Sequence, residues 1–143
     1  VVDERVVDFL SKVPLFQDLK RRQLESLARL VGEKTYQPGE TIVRQGQGGV
    51  GLFIVESGKA EVLRQAADGS EVAVNTLGPG DFFGELALLD DGPRTASVVA
   101  VEPTRCMSMT RWDFLPLLKD DADMAIVILQ EVVKRFRRAL DTL

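Results

Sequence analysis

Apolar positions recur along this chain with two periods, and the change between them divides it into segments. Val2, Val6, Phe9, Leu10 and Val13 fall at helical spacing, which predicts an amphipathic helix over residues 3–12, ending before Pro14. Pro14-Leu15-Phe16 interrupts it. Leu24, Leu27, Ala28 and Val31 then mark a second helical face over residues 20–31, with Gly32 as its stop. From Glu33 the texture changes to short β-type runs separated by glycine turns: 35–36, 41–44, 52–56, 59–64, 71–77, 96–101 and 104–110. Asp68-Gly69 between two such runs is a hairpin signal. Leu52-Phe53-Ile54-Val55 is apolar on both faces, so this strand is expected to be buried on both sides. Evenly spaced short strands with turn residues predict a sandwich or jelly roll. After Thr110 the helical period returns. A short helix is expected from Trp112 to Leu118, and a longer one over 122–142 after Asp120-Asp121. In the longer one Ile126, Leu129, Val133, Phe136 and Leu140 alternate three and four apart, with Val127, Ile128 and Val132 widening the face. The spacing is heptad-like, over fewer repeats than a coiled coil requires.

The fold class is therefore mainly β: a β jelly roll flanked by N-terminal and C-terminal helices. With 143 residues the simplest organisation is one domain, 1–143, long enough to bury roughly two-thirds of its unfolded surface. It would comprise a helical lead-in (1–32), a β-roll (33–110) and C-terminal helices (111–143). The chain opens on Val1 rather than methionine, as a piece of a longer protein would.

Charge and composition narrow the chemistry. A formal charge of −4 argues against a general nucleic-acid surface, which needs a basic face. No apolar run approaches the ~18 residues of a membrane span, and no charged-then-apolar leader stands at the start. The single cysteine, Cys106, sits beside Met107 in a strand-like run and reads as a core thiol in a reducing compartment. The expectation is a cytoplasmic domain that itself touches neither nucleic acid nor membrane. The chain has no histidine, which removes Ser-His-Asp chemistry and the usual histidine metal sites. It also argues against a metal enzyme built on a jelly roll.

Gly46-Gln47-Gly48-Gly49-Val50-Gly51 fits the dinucleotide fingerprint, but a strand and a turn follow it where a helix is needed. Lys134, Arg135, Arg137 and Arg138 crowd the end of the last helix. They suit its negative dipole end, and a contact with a nucleotide or a neighbouring domain is the alternative.

The densest chemistry lies in Phe82-Phe83-Gly84-Glu85-Leu86-Ala87-Leu88-Leu89-Asp90-Asp91-Gly92-Pro93-Arg94-Thr95-Ala96-Ser97. Gly84 lets a ligand approach the backbone closely. The amides of Glu85, Leu86 and Ala87 would be the unpaired N–H groups of a helix start, which favour an anion. Arg94 offers a charged fork suited to phosphate oxygens. Glu85 would repel a phosphate, and fits better as an acceptor for a sugar hydroxyl. Phe83-Gly84-Glu85-Leu86-Ala87-Leu88 followed by Pro93-Arg94-Thr95-Ala96 resembles the phosphate-binding cassette of cyclic nucleotide-binding domains. The glycine corners, the V-P-L-F lead-in and the final helix extend this resemblance over nearly the whole chain.

The resemblance implies a ligand sensor and not an enzyme, with no cofactor and no metal. Its ligand would be cyclic AMP as first choice, with cyclic GMP open. By the same resemblance Glu85 takes the ribose 2′-hydroxyl and Arg94 the cyclic phosphate. The amides of Gly84, Leu86, Ala87 and Thr95 or Ala96 complete the anion cradle. Thr95 stands where a threonine in several cyclic-GMP-responsive relatives bonds the guanine amino group. Leu77 and Phe82 would form one wall of the base pocket, with Arg135 and Phe136 on the final helix as a lid. An attached or neighbouring effector domain would read a movement of that helix, and a homodimer is left open. The alternative is a pseudo-sensor, the same fold used as a structural or dimerisation module.

Overall fold

The computed structural model describes residues 2–48 and 50–142. The described chain falls into two compact units, a β-rich one over 32–111 and a helical one made of 1–31 and 112–143.

The β-rich unit holds eight strands: β1 (Gly32–Tyr36), β2 (Thr41–Val43), β3 (Gly51–Ser57), β4 (Ala60–Gln65), β5 (Glu71–Leu77), β6 (Phe82–Phe83), β7 (Ser97–Ala100) and β8 (Thr104–Thr110). They form two antiparallel sheets, in the order β1-β8-β3-β6 and β2-β7-β4-β5. Side chains from both sheets make one core: Tyr36, Val55 and Cys106 from the first meet Ala60, Leu77, Val98 and Ala100 from the second. This is the expected jelly-roll architecture. β3 behaves as its all-apolar run predicts, with Leu52, Ile54 and Val55 all buried. By contrast β5 is exposed along its length until Leu77, because it forms the outer edge of its sheet.

Two departures from the sequence pattern matter for the site. β6 is only Phe82–Phe83, too short for any periodicity to register, and pairs through Phe53↔Phe83 and Ile54↔Phe82. The β4–β5 ladder slips by one residue after Val62, which pairs with Asn75 while Leu63 pairs with Ala73. Such a bulge re-aims the side chains that follow it.

In the helical unit, α1 (Glu4–Ser11) begins at Asp3, whose carboxylate accepts from Arg5 N at 3.0 Å. It buries Val6, Val7 and Leu10. Pro14–Phe16 forms a short 3₁₀ turn in which Leu15 and Phe16 are fully buried. Next comes α2 (Arg21–Ala28); the chain leaves the helix before Gly32, which opens β1. Phe16 packs against Phe114 of α3 (Arg111–Asp120), with ring centroids 6.0 Å apart. The last helix, α4 (Ala122–Asp141), is capped by Asp121, whose side chain accepts from Met124 N at 3.0 Å.

α4 turns Met124, Ile128 and Glu131 inward, and Gln17 Nε2 donates to Glu131 Oε1 at 2.6 Å. Two of its cations pair with carboxylates of this unit, Lys134 with Asp18 at 3.2 Å and Arg138 with Glu131 at 3.9 Å. The other face carries Ile126, Leu129, Val133, Phe136 and Leu140, all exposed. No helix among the described residues is long and apolar enough to cross a membrane.

Candidate functional site

The site begins with a backbone turn. β6 delivers the chain to Gly84, which adopts φ +80°, the left-handed conformation that L side chains avoid. A Cβ there would also collide with the Arg94 guanidinium and with the Gly51 carbonyl oxygen. Glycine is thus required twice over, by conformation and by crowding. The turn throws the chain into a four-residue 3₁₀ helix, Glu85–Leu88, anchored by buried Ala87 and Leu88, while Leu86 stays exposed.

Ala87 N–H donates to Gly84 O at 3.0 Å, closing that helix. The expectation of an unpaired amide at Ala87 therefore fails, because a 3₁₀ turn uses an N–H one residue earlier than an α-helix does.

Arg94 is brought in from the other side. Its own backbone is stitched to the loop after β2, with Arg94 N donating to Gln47 O at 2.8 Å and Gly46 N donating to Arg94 O at 2.9 Å. Its guanidinium then reaches β3, where Nη2 donates to Gly51 O at 2.8 Å. It lies over the Phe53 ring at 5.8 Å, and Phe53 stacks on Phe83 at 5.1 Å. These contacts, a carbonyl and a ring, orient the charge without neutralising it. Burial alone moves the Arg94 pKa down from its ordinary value, though a guanidinium starts so high that it stays charged. A half-buried cation with spare donors is a site for an anion.

Around this pair lies a cavity of ≈520 Å³. That is within the range of small-molecule sites. Gly84, Glu85, Leu86, Ala87, Arg94, Thr95, Ala96 and Phe82, all named from the sequence, line it. Glu85 Oε2 is enclosed there and Asp90 stands at the same cavity, so cationic and anionic groups are both present.

Leu77 does not belong to this set. It pairs with Ala60 at the inner end of β5 and is buried in the core with Val55 and Val98, so its side chain is spent on packing. Arg135 and Phe136 belong to α4, in the helical unit.

The sequence reading missed the wall opposite the cassette. Val43, Val62, Arg64 and Val98 line the cavity from β2, β4 and β7. Alternation along β4 puts Val62 and Arg64 on one face, which is a usable signal, but it does not say which face looks inward.

The geometry agrees with the comparisons to known proteins. The family model described as "Cyclic nucleotide-binding domain" matches residues 33–121. The chain is 30% identical over 136 residues to a CRP-like cAMP-activated global transcriptional regulator of Mycobacterium tuberculosis, covering 95% of this chain and 61% of that one. To the cyclic AMP receptor protein of Thermus thermophilus it is 36% identical, covering 88% of this chain and 58% of that one. Thus the chain spans about three-fifths of the length of these relatives. Among solved structures, the N-terminal domain of a transcriptional regulator from Streptomyces coelicolor superposes with a TM-score of 0.88 at 32% identity, covering 95% of this chain and 97% of that one. With the family match running through both walls of the cavity, this chain belongs to the cyclic nucleotide-binding domain family.

Proposed function

We propose that this chain is the sensory part of a cytoplasmic regulator, binding a cyclic purine nucleotide without chemically changing it. Cyclic AMP is the first choice, and the names of the two regulators above support it. The observation that carries the reading is Arg94, half-buried, oriented by Gly51 O and Phe53, and set against the Gly84 turn in one cavity. Arg94 takes the cyclic phosphate and Glu85 accepts the ribose 2′-hydroxyl. Backbone amides of Gly84, Leu86 and Thr95 or Ala96 complete the cradle. Such an arrangement holds a phosphodiester, and it offers no nucleophile paired with a base to cut one.

The helix α4 transmits the signal in this reading. Its stripe of exposed apolar residues from Ile126 to Leu140 is available to close over the base, with Arg135 and Phe136 as lid residues, or to pair with a second copy. An effector attached to this chain would read the change. Two transcriptional regulators among the relatives support a DNA-binding effector outside these residues.

Calorimetric titration with cyclic AMP and cyclic GMP tests the proposal. Arg94→Ala should weaken binding by roughly 1.5–3 kcal/mol, the range for a hydrogen bond to a charged group. A folded wild-type chain that binds neither nucleotide would leave the pseudo-sensor, a structural or dimerisation module, as the better reading.

A further inference from the structure

The final helix is held to its unit by two kinds of chemistry. The stripe that begins with Met124 and Ile128 continues along α4 as Glu131, Arg135 and Arg138, at spacings of four and three. Met124 and Ile128 are buried apolar anchors. Glu131, with 1% of its surface exposed, is a carboxylate in the place of a third. Beyond it no residue from 132 to 142 is buried. Apolar anchoring therefore stops two turns into the helix, and a charged group makes the last buried contact.

That contact is a poor one to keep dry. Gln17 Nε2 donates to Glu131 Oε1 at 2.6 Å. Glu131 Oε2 is enclosed and meets no hydrogen-bond donor among the described residues. Arg138 stands 3.9 Å from Oε1 with its own side chain mostly in water. Lys134 and Asp18 join the same two segments at 3.2 Å, but both are exposed, where an ion pair holds weakly. Taking a carboxylate out of water is costly, and one neutral amide offsets only part of that cost. An apolar side chain of similar volume would hold the helix as well or better. A buried position that breaks the apolar pattern without a gain in stability points to a role in function.

We propose that Glu131 is a release latch: with Gln17 it sets where α4 sits on the turn after Phe16, yet lets the helix from 131 onward leave before the rest of the unit opens. The register is fixed by the directional Gln17–Glu131 hydrogen bond. The hold is light because Oε2 regains water as soon as the helix lifts. The part that leaves carries Val133, Phe136 and Leu140, three of the exposed apolar residues, while Met124 and Ile128 keep the first two turns in place. The inference goes beyond the nucleotide reading, since it concerns how α4 is held whichever ligand the β-rich unit takes.

Hydrogen exchange of the full chain, read by mass spectrometry over 122–128 and 131–142, tests it. Glu131→Met combined with Gln17→Leu replaces the joint by apolar contacts. Exchange over 131–142 should then slow about tenfold, the scale on which apolar replacement of buried ion pairs stabilises, and exchange over 122–128 should change far less. Glu131→Gln keeps the shape and the acceptor and removes the charge, so it should slow the same segment to a smaller extent. Gln17→Leu alone strands the carboxylate and should speed it. Glu, Gln and Met have similar helix propensities, so these differences report on the joint.

Exchange over 131–142 that is unchanged or faster in the double variant would make Glu131 an ordinary anchor and overturn the proposal. Should repacking distort the double variant, Glu131→Gln decides alone by the same sign. Slowing that spreads equally over 122–128 would overturn the proposal too, because α4 would then open as one piece.

Discussion

A single methyl group at Gly84 tests the site most sharply, and a second glycine supplies the control. Gly84 and Gly69 both have positive φ, +80° and +87°. Placing alanine at either costs roughly 1–2 kcal/mol for the left-handed backbone, offset by about 0.4–1 kcal/mol from a less flexible unfolded chain. At Gly69, in the β4–β5 turn, the added Cβ meets nothing within 4 Å, so the cost stops there, near ~1 kcal/mol. At Gly84 the same methyl meets the Arg94 guanidinium, which can swing away, and the Gly51 carbonyl oxygen in β3, which cannot move freely. Crowding of that kind adds about 1–3 kcal/mol. The expected loss is then roughly 2–4 kcal/mol for Gly84→Ala. Urea unfolding followed by far-UV circular dichroism measures both variants, and nucleotide titration measures the functional consequence. Gly69→Ala should bind as wild type does. Gly84→Ala should lose most of its binding even where folded, because Arg94 is pushed off Gly51 O and its 2.8 Å hydrogen bond. If Gly84→Ala were no less stable than Gly69→Ala and bound normally, the close approach of turn, arginine and β3 would be refuted.

Three further outcomes follow from named contacts. If Glu85 accepts the ribose hydroxyl, a 2′-deoxy cyclic nucleotide should bind wild type about tenfold worse, the scale of one charge-assisted hydrogen bond. That penalty should shrink in Glu85→Gln, and a penalty the substitution leaves intact would make Glu85 structural. A chain truncated after Asp121 should keep its β-sheet signal yet bind nucleotide more weakly if α4 closes over the base. Unchanged affinity in a folded protein would assign the exposed stripe around Phe136 to a partner chain. Burial pushes the Cys106 thiol up to about 11, so iodoacetamide at pH 8 should label it only after unfolding. Because its folded pKa is the higher one, this group's contribution to stability is complete below about pH 9 and declines from there to about 11. Denaturation midpoints that hold steady across this window, compared with Cys106→Ala, would count against the assignment.

The parts of this protein legible in its sequence are those decided by neighbours along the chain. A 3.6-residue period marks α1, α2 and α4, alternating and all-apolar runs mark the longer strands, and Asp68-Gly69 marks a turn, because each depends on conformations only a few residues long. The cassette is legible for the same reason: Gly84, Glu85 and Arg94 lie within eleven consecutive positions, 84–94, and their chemistry is stated by residue type.

Tertiary structure alone decided what faces these residues. Arg94, in the loop before β7, is held by a carbonyl 43 positions away, at the start of β3. The opposite wall comes from β2, β4 and β7, and the slip after Val62 helps determine where β4 and β5 side chains meet. Leu77, close to the cassette in sequence, turns into the core because its partner is Ala60 at the inner end of the ladder. Alternation along a strand separates two faces and does not label them. Only the packing of one sheet on the other says which face is core, which is solvent and which is the wall of a binding site.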